Sequence, residues 1–307
     1  MSLVELLSPF IFQSSPLVLL GGNGQLGWAI RQRLESVPSL APLRTEADYL
    51  QPERLVALVA RLRPRVIINA AAYTLVDQAE TEPELAYQIN AQAVAALAEA
   101  ARRVGALLVH FSTDYVFDGN GRKPWREEDK PAPLNVYGLS KLQGEQAILA
   151  SGCEHLIFRT SWLHSPYRQN FLKTMLHLGQ EKKSLSVVSD QIGAPTSAVM
   201  LGAVTLRAIE QTLVNPALCG LYHVTATGET SWYDYARFTF DEAKELGYEF
   251  TLNELKPVQS QNYPTTASRP LNSRLDTTKF CSTFDVALPD WRDGVKETLW
   301  QLTKGIS

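Results

Sequence analysis

The chain has 307 residues, enough for one large or two ordinary domains. Its 45% hydrophobic and 20% charged residues, with a net charge of −3, describe an ordinary globular protein and leave no basic patch for nucleic acid or a membrane surface. The three cysteines, Cys153, Cys219 and Cys281, lie far apart without a CxxC pair, which excludes a disulfide framework and fits the reducing cytoplasm.

Residues 1–14, MSLVELLSPFIFQS, are apolar but short, carry Glu5 and lack a basic residue, so they are not expected to act as a secretory signal. They read as a short extension or a remnant of cloning, and the sequence leaves that choice open. No segment reaches ~18 uninterrupted apolar residues, so no membrane span is expected. PLVLLGG (16–22) reads as a first strand, followed by the helical GQLGWAIRQRLES (24–36). LAPLR (40–44), the helical PERLVALVARLRP (52–64) and the strand RVIINAAA (65–72) continue the alternation. An alanine-rich helix around 84–103 leads to ALLVHFST (106–113), and a helix at NVYGLSKLQGEQ (135–146) leads to HLIFRTSW (155–162). Strands this apolar, alternating with helices, indicate a parallel sheet covered on both faces. The expected fold is therefore α/β, a Rossmann-type doubly wound parallel sheet.

The second half is less regular. SLSVVSD (184–190) and GLYHVTA (220–226) read as strands, 196–213 and 231–247 as helices, and 256–275 as a polar, loop-rich region. The expected division is a dinucleotide-binding unit over 16–165, to which later segments contribute, and a smaller, interleaved substrate-binding unit mainly over 166–307.

GGNGQLG (21–27) falls between the first strand and the first helix. It satisfies GxGxxG through Gly22, Gly24 and Gly27, and GxxGxxG through Gly21, Gly24 and Gly27. Glycines here permit a tight turn and let backbone N–H groups approach a pyrophosphate. Gly21, Gly24, Gln25, Leu26 and Gly27 are the candidate cofactor contacts. At the end of the second strand an acid would select NAD, whereas Arg44 is suited to a 2′-phosphate. NADPH is the expected cofactor, with NADH as the open alternative.

Tyr137 and Lys141 stand four residues apart, one above the other on a helix. Lys141 would bind the nicotinamide ribose and favour the phenolate of Tyr137, bringing a group with an ordinary pKa of ~10 nearer working range. Thr113, ending the fourth strand, offers a second hydroxyl for a substrate carbonyl.

GGNGQLGW, NAAAYTLVDQAE, STDYVFDG, NVYGLSK, FRTSW, DQIGAPT, GLYHVTA, WYDYA and RPLNSRLDT occur in one order over residues 17–302. In this the chain resembles the dTDP-4-dehydrorhamnose reductase family, of the extended short-chain dehydrogenase/reductase superfamily. The resemblance implies that Thr113, Tyr137 and Lys141 form a catalytic triad. It also implies reduction of the C4 ketone of dTDP-4-dehydro-6-deoxy-L-mannose to dTDP-L-rhamnose. Gly138 and Gly144 would keep the Tyr137 helix slim beside cofactor and substrate. Ala70, Ala71 and Ala72 would let the cofactor lie flat, and Asp48 and Tyr49 match positions near the adenine. Trp162 would wall the substrate pocket, while Arg269 and Asn272 would meet the substrate in the polar loop.

The chain departs from the family where some members bind Mg²⁺ through glutamates at a dimer interface. Ala29, Val199 with Met200, and Trp300-Gln301-Leu302 stand in those places, so no metal is expected, and a monomer or weak homodimer follows. Two alternatives stay open: a related nucleotide-sugar epimerase or dehydratase, and a regulatory subunit like that of methionine adenosyltransferase. Against the dehydratase, Thr113-Asp114-Tyr115 lacks the glutamate such enzymes carry.

Overall fold

The structure, a computed structural model, describes residues 16–34 and 37–305; the N-terminal extension read at 1–14 lies outside the described residues. Its centre is a six-stranded sheet of β1 (Leu17–Leu20), β2 (Ser39–Leu40), β3 (Val66–Asn69), β4 (Leu107–Thr113), β5 (His155–Thr160) and β6 (Gly220–His223). The spatial order is β2-β1-β3-β4-β5-β6, and every neighbouring pair is parallel. This is the doubly wound α/β sheet expected from the alternation of apolar runs and helices.

Successive strand residues point to opposite faces, so each strand feeds two cores. Leu17, Leu19, Val66, Ile68, Leu107 and Val109 join one core with Ile30, Leu201 and Val204. Val18, Leu20, Ile67, Leu108 and Ile157 join the other with Leu55, Val59, Val94 and Leu97. Every residue of β1, β3 and β4 is buried, which is why these strands read as continuous apolar runs.

The direction of winding reverses between β1 and β3, and the glycine loop follows β1 there. Such a switch point opens a crevice at the strand C-termini. Gly21 has φ +77, and a Cβ on it would lie 2.5 Å from the Ala71 nitrogen. A side chain at this position would drive the β1 and β3 loops apart.

Three elements differ from expectation. β2 covers only Ser39–Leu40, because Pro42 offers no N–H to continue a ladder, and Arg44 therefore lies beyond the strand. The alanine-rich helix is interrupted: Pro83–Tyr87 and Ala93–Val104 are joined by a π-helical turn at Gln88–Gln92. The buried Asn90 in that turn donates to the Tyr73 carbonyl and the Ser140 hydroxyl, both at 3.0 Å, and accepts from the Tyr73 N–H. Finally, the polar region at 256–275 begins inside a strand, Glu254–Val258, paired in parallel with Ser184–Val188 outside the main sheet.

The helix Val136–Ser151 is capped by the Asn135 side chain, whose oxygen accepts from the Gly138 N–H at 2.8 Å. It lies unusually close to its neighbours. A Cβ on Gly138 would stand 2.2 Å from the Tyr115 carbonyl oxygen, and one on Gly144 2.2 Å from that of Asn90. The glycines thus keep the helix slim against protein backbone, where cofactor and substrate had been expected. Gly144→Ala should destabilise the fold by about 1–3 kcal/mol through overpacking, outweighing the ~1 kcal/mol gained in helix propensity. Urea unfolding measures this, and an unchanged midpoint would contradict the close approach.

Candidate active site

The glycine loop presents the N-terminus of the helix Gln25–Arg33, whose cap residue Gly24 leaves its first turn without a side-chain hydrogen bond. A Cβ on Gly24 would meet only the Gly21 carbonyl, at 3.4 Å, so space above the turn is open. A Cβ on Gly27 would lie 2.1 Å from that same carbonyl, which makes glycine obligatory beneath the turn. Leu26 is buried, and the Gln25 amide oxygen accepts from Ser165 at 3.1 Å and Asn170 at 2.9 Å. Open backbone donors at a helix start suit a pyrophosphate. Ala70, Ala71 and Ala72 follow β3 beside this loop.

Thr113 ends β4, and the Tyr137 helix packs against that strand. The Thr113 hydroxyl donates to Asp114 Oδ1 at 3.1 Å and accepts from the Tyr115 N–H at 3.2 Å. Tyr137 packs edge-on against Tyr115, with ring centroids 5.7 Å apart. Burial pushes the Tyr137 phenol up to about 12, with the Thr113 hydroxyl opposing and the Asp114 charge reinforcing the rise. The phenol therefore holds its proton, and burial outweighs the lowering that a neighbouring Lys141 was expected to bring.

Lys141 is buried, and its ammonium turns to the strand: Nζ donates to the Phe111 carbonyl at 2.6 Å and stands 3.3 Å from His110 Nε2. Burial pushes it down to about 8, against the pull of Glu145. Glu145, one turn on, is itself bound by both arms of Arg159 at 2.9 and 2.6 Å. Arg159 lies over the Phe117 ring and 3.5 Å from His223 Nε2.

The remaining candidates divide. The Tyr49 hydroxyl donates to Asn69 Oδ1 at 2.6 Å, and Asp48 accepts from the Leu50 N–H. Arg44 is exposed in the turn past β2. Trp162 adopts φ +48 and stacks on Trp232, with centroids 3.6 Å apart. Arg269 already grips Asp77 through two bonds, at 2.6 and 3.2 Å, so its charge is partly neutralised. Asn272 is buried and donates to the Lys123 carbonyl while accepting from Arg274, which makes it a loop organiser. Residues that carried no assigned role at the level of sequence also converge here: Asn69, His110, Asp114, Glu145 and Arg159. A histidine in the middle of a fully buried strand, as in LLVHFST, is the signal that could have found His110.

The RmlD substrate binding domain family matches residues 15–304. The dTDP-4-dehydrorhamnose reductases of Salmonella typhimurium and Escherichia coli K12 are each 48% identical over 93% of this chain and 97% of their own length. A Bacillus anthracis dTDP-4-dehydrorhamnose reductase, crystallised in complex with NADP, superposes with a TM-score of 0.86 at 36% identity, covering 94% of this chain and 99% of that one. The chain belongs to the dTDP-4-dehydrorhamnose reductase family. It is an oxidoreductase.

The places where the resemblance would put Mg²⁺-binding glutamates hold other side chains here. Ala29 is fully buried and packs against Gly202 of the helix Ala198–Val214. Met200 is buried, and Gln301 donates to Glu297 at 2.7 Å. Among the described residues, no group of three or more His, Cys, Asp or Glu is placed to hold a metal. The side chains present do not fit a hard cation that needs several carboxylate oxygens.

Asp114 has a consequence for stability. Burial pushes its carboxyl up to about 7, with the Ser273 and Thr113 hydroxyls pulling it back. Between pH ~4 and 7 the folded reductase thus holds a proton that the unfolded chain releases, so this group lowers stability as pH rises through that window. Asp114→Asn should remove the penalty. Relative to wild type, its unfolding free energy should rise by about 1–3 kcal/mol between pH 4.5 and 8, at ~1.4 kcal/mol per unit of pKa. A difference constant with pH in urea unfolding would show an ordinary carboxyl.

Proposed function

We propose that this chain reduces the C4 ketone of dTDP-4-dehydro-6-deoxy-L-mannose to dTDP-L-rhamnose, with NADPH as the preferred reductant. The observation that carries this reading is the placement of Thr113, Tyr137 and Lys141 around the end of β4, on the strand edge that also bears the glycine loop. The relatives at 48% identity over 93% of the chain support the same chemistry.

Gly21, Gly24, Gln25, Leu26 and Gly27 would hold the pyrophosphate, Ala70, Ala71 and Ala72 the flat underside, Asp48 and Tyr49 the adenine side, and Arg44 the 2′-phosphate. Bound there, the dinucleotide supplies a hydride to the carbonyl carbon. Tyr137, a protonated phenol at neutral pH, gives its proton to the oxygen that becomes the alcohol. Thr113 orients that oxygen, and Lys141 binds the ribose and steadies the charge left on Tyr137. Trp162 walls the sugar pocket. Arg269 reaches the substrate's diphosphate if its pairing with Asp77 loosens, and Asn272 keeps the loop in shape.

We assign the dinucleotide unit to residues 16–165 together with β6, and the substrate unit to most of 166–307. The protein works in the cytoplasm on a nucleotide sugar, as a monomer or weak homodimer, without a metal, nucleic acid or membrane. Among the described residues, no helix is long and apolar enough to cross a membrane.

Tyr137→Phe should reduce turnover of the keto sugar by ~10²–10⁴-fold while leaving NADPH binding near wild type. Steady-state kinetics beside a fluorescence titration checks both halves, and wild-type turnover would refute the assigned role. Arg44→Ala should weaken NADPH by about one to two decades and leave NADH unchanged, since charge-assisted bonds to a phosphate contribute ~1.5–3 kcal/mol. Equal losses for the two cofactors would show that Arg44 does not read the phosphate.

A further inference from the structure

Lys141 closes a chain of polar side chains that crosses the C-terminal edge of the sheet from β3 to the Tyr137 helix. Its orientation is fixed from the far end. The Ala71 N–H donates to Asn69 Oδ1 at 3.2 Å, and the Tyr49 hydroxyl reaches the same oxygen at 2.6 Å. A backbone N–H can only donate, so the Asn69 amide is locked with its nitrogen towards His110. That nitrogen lies 3.0 Å from His110 Nδ1. Having only hydrogens to offer, it makes Nδ1 the acceptor.

His110 has no exposed surface, and burial followed by the Lys141 charge holds its pKa well below the ordinary value, so the ring is neutral. A neutral imidazole accepting at Nδ1 carries its proton on Nε2. Nε2 is the atom 3.3 Å from Lys141 Nζ. We propose that His110 is a positioning residue that presents this N–H to Lys141, with Asn69 and Tyr49 fixing the tautomer.

An ammonium has no lone pair for that N–H, whereas a neutral amine has one. His110 therefore favours the amine, while the Phe111 carbonyl, 2.6 Å from Nζ, is served by either form. The other ionisable groups around Lys141 are Tyr137 and Glu145 on its own helix and, from β5, Arg159, which Glu145 occupies. The fall of Lys141 to about 8 agrees with this setting. His223 provides the contrast: its Nδ1 donates to the Trp125 carbonyl at 3.0 Å, so the lone pair of Nε2 faces the Arg159 cation. One buried histidine is turned to accept from a permanent cation, and the other to donate to an amine.

The inference rests on the proposed cofactor role of Lys141, and the pH dependence of NADPH binding tests it. The charged ammonium binds the ribose, so wild-type affinity should fall as pH rises through about 8. His110→Phe removes the N–H. Asn69→Asp turns the ring over, because a carboxylate accepts from Nδ1 and leaves the Nε2 lone pair facing Lys141. Both variants should move the midpoint of the fall upward by about one pH unit, and His110→Gln, which keeps an N–H to offer, should restore it. Fluorescence titration of NADPH across pH 6–10, on variants that unfold as cooperatively as wild type, reads the shift. If His110→Phe does not fold, Asn69→Asp and His110→Gln carry the comparison. Unmoved midpoints in a wild type that binds NADPH and reduces the keto sugar would overturn this inference alone. A wild type that does neither would overturn the functional reading and the inference with it.

Discussion

The arrangement depends on how closely the helix Val136–Ser151 lies against two backbone carbonyls. Gly138 fits over the Tyr115 oxygen and Gly144 over that of Asn90, at separations where any Cβ would collide. That contact sets the depth of the helix relative to β4. It brings Tyr137 against Tyr115 beside Thr113, and lets Lys141 reach back to Phe111. The π-helical turn that aims the Asn90 carbonyl at Gly144 belongs to the same constraint, since a regular helix would place that oxygen elsewhere.

Burial then does the electrostatic tuning. Four ionisable groups of the site lie out of water and are displaced in the direction that suppresses their charge: Tyr137 and Asp114 upward, Lys141 and His110 downward. Beside them Glu145 meets Arg159 through two parallel bonds, the geometry that best offsets desolvation. Lys141 sits one turn from that pair. Its protonation is set first by burial, which pushes it down, and then by Glu145, which opposes that fall.

Much of this was legible in the chain. The apolar runs of β1, β3 and β4 are continuous because both faces are covered, so periodicity gave the sheet and the glycine loop its place at the switch point. What escaped was set by tertiary contact. Nothing local in GLSKLQGEQ distinguishes a glycine facing a ligand from one facing a carbonyl, and nothing near Arg269 announces Asp77, almost two hundred residues away. The lowered Lys141 and raised Tyr137 escaped for the same reason: a pKa depends on burial and on partners such as Glu145 and Asp114, which only the fold supplies. β2 was overextended because Pro42 was passed over as a ladder breaker.

We propose that Tyr137 and its neighbours serve a hydride transfer to C4 of a keto sugar. The most direct test is to supply NADPH deuterated at the transferring position together with dTDP-4-dehydro-6-deoxy-L-mannose, and to locate the label by NMR. One deuterium at C4 of dTDP-L-rhamnose is expected per NADPH consumed. Label at another ring carbon, or a sugar altered without net consumption of NADPH, would contradict it.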